Sequence, residues 1–151
     1  MSNQPSNVHA TSLRLSRSDA VVAVLVGAAV ADGILRREET SRLTDLLGSS
    51  RWGLGMGIDA TTAATTRALN LLADHGLPAL LSACAEAIPP DLRATAFALA
   101  VDLVLADGRL GTRESALIDQ LQGTLRIEGE LARTIIEVLR IKNRASGAPD
   151  A

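Results

Sequence analysis

Aromatic residues, cysteine and histidine are all scarce in this chain of 151 residues, and each shortage removes a class of function. Aromatics make up 1% of the sequence, so the stacking side chains that hold single-stranded nucleic acids are missing. The formal net charge is -2, which with no basic face argues against any nucleic-acid partner. Because the only histidines are His9 and His75 and no serine has a recognisable nucleophile context, we expect no hydrolytic triad and no enzyme activity.

The single cysteine and the lengths of the apolar runs exclude further kinds of site and a membrane-spanning helix. Cys84 is the only cysteine, which excludes an intramolecular disulfide and a cysteine-based zinc site, and we expect it to be a small buried apolar residue. The apolar runs 21–31 and 94–106 are shorter than the roughly 20 residues that span a bilayer. The first run resembles a signal peptide, but Asp19 interrupts its basic flank. We therefore predict a core helix there and a cytoplasmic protein without a membrane span.

The apolar composition predicts the fold class. Apolar residues account for 47% of the chain, and with so few aromatics the core must consist of Leu, Val, Ile and Ala. Ala and Leu lead the helix propensities, and no run shows the alternation typical of a strand. We predict an all-α protein, a compact bundle of about seven helices in one domain at residues 16–144. A disordered arm is expected at 1–15 and a flexible tail at 145–151.

Glycines, prolines and candidate N-cap residues, together with the spacing of apolar residues, predict approximate helix bounds. Gly76 is predicted to close the third helix and Pro78 to lie in the first turn of the fourth, while Asp59 or Thr61 is predicted to cap the third helix at its start. Residues 48–58 are expected to form a connector, since their Gly-x-Gly-x-Gly string lacks the context of a phosphate-binding loop. The predicted helices cover about residues 16–31, 37–47, 59–74, 78–87, 90–106, 112–125 and 130–143. The apolar stripe expected on the seventh consists of Leu131, Ile135, Val138 and Leu139.

One short pattern, Ala-Asp-Gly-x-Leu-x-x-x-Glu, occurs twice, 75 residues apart, at 31–39 and 106–114. Each copy follows an apolar run and leads into a segment with helical spacing. The repetition predicts that the chain builds one helix-turn-helix hairpin twice. Each hairpin would present one aspartate and one glutamate, and the resulting set consists of Asp32, Glu39, Asp107 and Glu114.

Two interpretations of these four carboxylates are open. The pattern matches the second half of a calcium EF-hand loop, but the upstream ligand positions are aliphatic, so it is not an EF-hand. The glutamates suit the first turn of a helix, where the dipole favours a carboxylate that can reach back to the N-cap amide. Alternatively, hairpins packed about a pseudo-twofold axis would gather four carboxylates that bind calcium or magnesium. Arg36 and Gly111 replace the usual capping-box residue, which suggests a second reason for keeping the glutamates and leaves both interpretations open.

Asp102 is a separate feature of the second half. It lies within the apolar stretch 96–105, and a partly buried carboxylate is costly unless it is paired. Arg67 or Arg93 is a candidate partner. The alternative is that Asp102 contributes to an acidic site near Asp107.

The paired hairpins in an all-helical domain of this length resemble the TerB family of tellurite-resistance proteins, over about residues 16–144. The resemblance implies a compact helical bundle, a cytoplasmic bacterial protein, a link to tellurite and other chemical stress, and no catalytic activity. It also implies an acidic, metal-binding surface, which maps to Asp32, Glu39, Asp107 and Glu114.

Two functions are therefore expected to compete. The first is a stress-response protein whose acidic surface binds a divalent cation. The second is an interaction module that docks a partner, among other stress-response proteins, through its acidic end without metal. Neither the residues nor the resemblance predicts an oligomeric state.

Overall fold

The computed structural model describes residues 13–30, 37–49, 57–107 and 110–144. Over these ranges the chain forms seven α-helices and no strand, so the predicted all-α bundle is confirmed. A short 3₁₀ turn, Leu105–Asp107, follows the fifth helix. The helices are α1 Arg17–Ala29, α2 Arg37–Ser49, α3 Ile58–His75, α4 Leu77–Ala87, α5 Pro90–Val104, α6 Thr112–Leu125 and α7 Gly129–Lys142.

Helix α1 lies at the centre of the bundle. Its residues 20–28 are all buried, because α3, α4 and α5 all pack against it, and a helix that is apolar on every side belongs in a core. The Ser16 side chain caps it by accepting a hydrogen bond from the backbone N–H of Asp19 at 3.1 Å. The predicted core helix is therefore confirmed, although it ends at Ala29 rather than Ala31. No helix in the described ranges is long and apolar enough to cross a membrane.

Small residues allow these helices to pack closely. A Cβ atom on Gly27 of α1 would lie 2.9 Å from the Leu77 Cδ1 atom of α4. In α5, Ala96 and Ala100 are fully buried beside Phe97, the only phenylalanine in the chain. Among the described residues, the rest of the core is aliphatic apart from Cys84, as the composition predicts.

The structure confirms some helix ends and corrects others. Gly76 closes α3 with φ +82°, a left-handed value that favours glycine, and a proline lies in the first turn of α4 as predicted. The N-cap of α3 is Gly57, so the prediction of Asp59 or Thr61 was wrong, because the helix begins earlier and places both residues inside it. Helix α2 continues to Ser49, two residues into the predicted connector; residues 50–56 lie outside the described ranges, as do residues 1–12 of the predicted arm and the predicted tail at 145–151.

The buried face of α7 differs from the predicted stripe. Ile135 and Leu139 pack against the core as expected, but Leu131 is 43% exposed and Val138 is 56% exposed. Ala132, at 1% exposure, lies at the centre of the buried face instead. The prediction failed because the apolar residues of α7 fit two overlapping stripes, and the buried one contains Ala132 in place of Leu131 and Val138.

Candidate functional site

The structure describes the four predicted ligands unequally. Asp32 lies outside the described residues, and so do the side chains of Glu39 in α2 and of Asp107 at the end of the 3₁₀ turn. Glu114 is fully described and lies in the first turn of α6. The gathering of the four carboxylates at one end of the bundle therefore stays a prediction.

The Glu114 side chain folds back over the start of its own helix. Its carboxylate lies against Gly111, the N-cap residue of α6: a Cβ atom added there would stand 3.3 Å from Glu114 Cδ and closer still to Oε2. The Gly111 carbonyl accepts the N–H of Ser115 at 3.0 Å. Glycine at this position leaves the room that the carboxylate occupies, which is a local physical reason for the missing capping-box side chain.

Glu114 has no basic partner among the described residues. It is half-buried and takes part in neither of the ion pairs found in those ranges. The first turn of α6 thus orients a half-buried carboxylate, and no side chain in the described part of the chain forms an ion pair with it. The same part contains no group of three or more His, Cys, Asp or Glu side chains that could hold a metal.

Asp102 is paired, but not with the predicted arginines. Lys142 Nζ of α7 donates to both of its carboxylate oxygens, at 3.0 and 3.1 Å, and Asn143 Nδ2 donates to Oδ1 at 2.8 Å. The Asp102 side chain is 15% exposed and that of Lys142 is 59% exposed. These three hydrogen bonds connect the C-terminal end of α7 to the end of α5.

The two arginines predicted for Asp102 have other roles. Arg67 of α3 forms an ion pair with Asp19 of α1 at 2.8 Å, and Arg93 of α5 donates to the backbone carbonyls of Ile88 and Ala85, at 3.3 and 3.1 Å. The prediction was wrong because it considered only arginines and overlooked the basic residues in the last turn of α7. Lys142 in that turn, on the helix that packs against α5, was the available signal.

An open groove of about 340 Å³ adjoins the second motif. It lies between α2, the end of α5 and the end of α7, next to the 3₁₀ turn that contains Asp107. Both signs of charge line it, through Arg42 and Asp45 of α2 and through the Asp102–Lys142 pair. Sequence reasoning missed the contribution of α2, since nothing local to that helix indicates which neighbour it faces.

The expected structural role of Cys84 is confirmed. The residue is fully buried in α4, and desolvation by burial raises the pKa of its thiol from the ordinary value of 9.0 to about 12. A thiol that stays protonated at neutral pH is a poor nucleophile and metal ligand. Cys84 therefore belongs to the core.

The seven helices packed around a central α1 define an all-α helical-bundle protein. Residues 18–137 match the family described as tellurite resistance protein TerB. The match covers well over half of the chain, and the chain belongs to the TerB family. No curated protein and no solved structure matches it.

Proposed function

We propose that this TerB-family chain is a non-enzymatic stress-response protein of the bacterial cytoplasm that binds a hard divalent cation, calcium or magnesium. The proposed ligands are Asp32 and Glu39 of the first motif and Asp107 and Glu114 of the second. The observation that carries the proposal is Glu114: its half-buried carboxylate is oriented at the start of α6 and has no basic partner among the described residues.

The chemistry of the repeated motif supports a cation rather than an anion. Calcium and magnesium prefer carboxylate oxygens, and the two copies of the motif together supply four carboxylates. We interpret the two motifs as an internal duplication, in which each hairpin supplies two of the four ligands. A tellurium oxyanion would be repelled by the same carboxylates, so direct tellurite binding is not proposed.

A docking function without metal is the second candidate, and the groove beside the second motif favours it. Its mixed lining of Arg42, Asp45, Asp102 and Lys142 could accept a polar segment of another stress-response protein that carries both signs of charge. In this alternative, the carboxylates of the two motifs form the acidic rim of the docking surface.

Thermal unfolding of chelator-treated protein tests the proposal. A cation that binds only the folded state stabilises it by RT ln(1 + [L]/Kd), about 1.4 kcal/mol at ten times Kd. For a chain of this size that raises Tm by about 3–6 °C. We expect this rise with millimolar calcium or magnesium, and we expect Asp32→Asn/Asp107→Asn to lose it.

A matched double variant separates specific binding from general screening of negative charge. Asp74→Asn/Asp119→Asn also removes two carboxylates, both exposed and both outside the motifs, and should keep the full cation response. A Tm that no divalent ion raises would contradict the cation proposal. The docking candidate would then be tested by pull-downs that compare the parent with the same two double variants.

A further inference from the structure

Helix α7 lies at the edge of the bundle with a fixed orientation. It packs against α5 through the buried Ala132 and the half-buried Ile135, Ile136 and Leu139, and Lys142 and Asn143 at its C-terminal end bind Asp102 of α5. These contacts determine which side of α7 faces away from the bundle.

The outward side of α7 carries an apolar stripe. Leu131 is 43% exposed, Val138 is 56% exposed and Ile141 is 63% exposed. With Thr134 they occupy positions i, i+3, i+7 and i+10, which lie on one face of a helix. They are three of the five exposed large apolar side chains found in the described ranges, and this concentration on a single helix face is typical of a surface that binds another helix.

One edge of the stripe carries four charges in alternating order: Glu130, Arg133, Glu137 and Arg140. All four are exposed, and none takes part in an ion pair within the described part of the chain. Read in the opposite direction along the helix, the order acid, base, acid, base becomes base, acid, base, acid. The edge is therefore complementary to an antiparallel copy of itself.

We propose that the outward face of α7 is a homodimer interface, in which the α7 helices of two copies of this chain pair in antiparallel orientation. In this register Glu130 meets Arg140 of the second copy and Arg133 meets Glu137 of the second copy. The same register puts the twofold axis level with residue 135, so that Thr134 lies about one residue from the axis and Leu131 lies within about one residue of the level of Val138 of the second copy. Because the interface is isologous, each contact occurs twice.

The size of the surface predicts a weak association. Helix α7 has 14 residues, a length of about 21 Å, and pairing through one such helix buries less area than most stable dimer interfaces. The dimer should therefore form only as the protein concentration rises, and its affinity should depend strongly on the four charges.

Charge reversal tests both the partner and the register. Sedimentation equilibrium of the parent, from micromolar to near-millimolar concentration, should show a monomer–dimer equilibrium. Arg133→Glu and Glu137→Arg should each weaken it by about tenfold or more, since each replaces two attractive contacts by two repulsive ones. The double variant Arg133→Glu/Glu137→Arg should return to near the parent affinity, because it exchanges the two charges of each contact.

Mixing the two single variants gives the sharpest test. Between an Arg133→Glu chain and a Glu137→Arg chain, both contacts at this position are again attractive, so the mixture should form mixed dimers more tightly than either variant dimerises alone. Arg17→Glu, a matched reversal at the start of α1, should leave the parent equilibrium unchanged. Thermal melts check that every variant is folded.

Two results would overturn the proposal. The first is a parent that stays monomeric across the whole concentration range, which would mean that another segment or another protein covers the face. The second is a dimer that neither single reversal weakens and that shows no rescue in the mixture, which would place the interface elsewhere.

Discussion

Removal of the Asp102 carboxylate should destabilise the bundle by an amount that the local geometry bounds. Asp102 accepts three hydrogen bonds, two from Lys142 and one from Asn143. Hydrogen bonds to charged groups contribute about 1.5–3 kcal/mol when they are buried, but Lys142 is 59% exposed, and an exposed ion pair is worth only about 0.2–1 kcal/mol.

The two residues that donate hydrogen bonds to Asp102 respond differently when it is replaced by alanine. Lys142 returns to water at little cost, and Asn143 keeps its hydrogen bond to the Leu139 carbonyl at 2.9 Å, so neither donor is left buried without a partner. We therefore expect Asp102→Ala to lower the free energy of unfolding by about 1–2 kcal/mol. Lys142→Ala should lower it by about 0.5–1 kcal/mol.

Urea denaturation of the parent, the two single variants and the double variant measures these values and the coupling between the residues. We expect a coupling free energy of about 0.5–1 kcal/mol. A cycle that is additive within error, together with an Asp102→Ala variant as stable as the parent, would refute the conclusion that this cluster holds α7 on α5.

Three further predictions concern the core and the helix ends. Burial raises the pKa of Cys84 to about 12, so between about pH 9 and 12 the thiol ionises in the unfolded chain but not in the folded one. The free energy of unfolding should therefore be unaffected by Cys84 below about pH 9 and should fall by up to about 4 kcal/mol as pH rises to 12. Alkaline urea titrations should not show this fall for Cys84→Ala. Gly27→Val should cost about 1–3 kcal/mol, because its Cβ atom would lie 2.9 Å from Leu77 Cδ1 and must displace that side chain. Gly123→Ala, in open space within α6, should instead add about 0.5–1 kcal/mol; equal urea midpoints for the two variants would contradict the packing argument. Arg126→Gly should add up to about 1 kcal/mol, because Arg126 ends α6 with φ +57°, and a lower Tm would show that its side chain makes a compensating contact.

The sequence predicts most of the fold because its local signals agree with one another. Gly76 and Pro78 define the boundary between α3 and α4 without any help from tertiary contacts. The run that contains residues 21–28 can satisfy its apolar character only at the centre of a bundle, which is where α1 lies. The fold class and the order of the helices therefore follow from helix propensity, from the periodicity of apolar residues and from the glycines and prolines at helix ends.

The rotation of a helix about its own axis and the partner of a buried charged side chain are less predictable, since both depend on which neighbour the helix packs against. The periodicity of α7 fits two overlapping stripes, and only its packing on α5 through Ala132 decides between them. The partner of Asp102 likewise depends on α7 lying beside α5, at a sequence separation of 40 residues. A sequence shows that a buried carboxylate needs a partner, but not which distant side chain is brought within reach.

The candidate site could be predicted as a set of residue types and a spacing. The sequence singles out the two motifs and their four carboxylates, and the structure adds that Glu114 folds over Gly111 at the start of α6. That detail depends on the backbone approach at one N-cap, which no pattern of residue types encodes. It also accounts for the glycine that breaks the capping box of the second motif.

A calcium titration followed by amide NMR tests the central claim most directly, because it reports the response of each residue. We predict saturable shifts concentrated at residues 31–39 and 106–114, and their loss in Asp32→Asn/Asp107→Asn. Shifts that avoid both motifs, or that grow linearly and scatter over all exposed carboxylates, would contradict a cation site built from the repeated Asp-Gly hairpins.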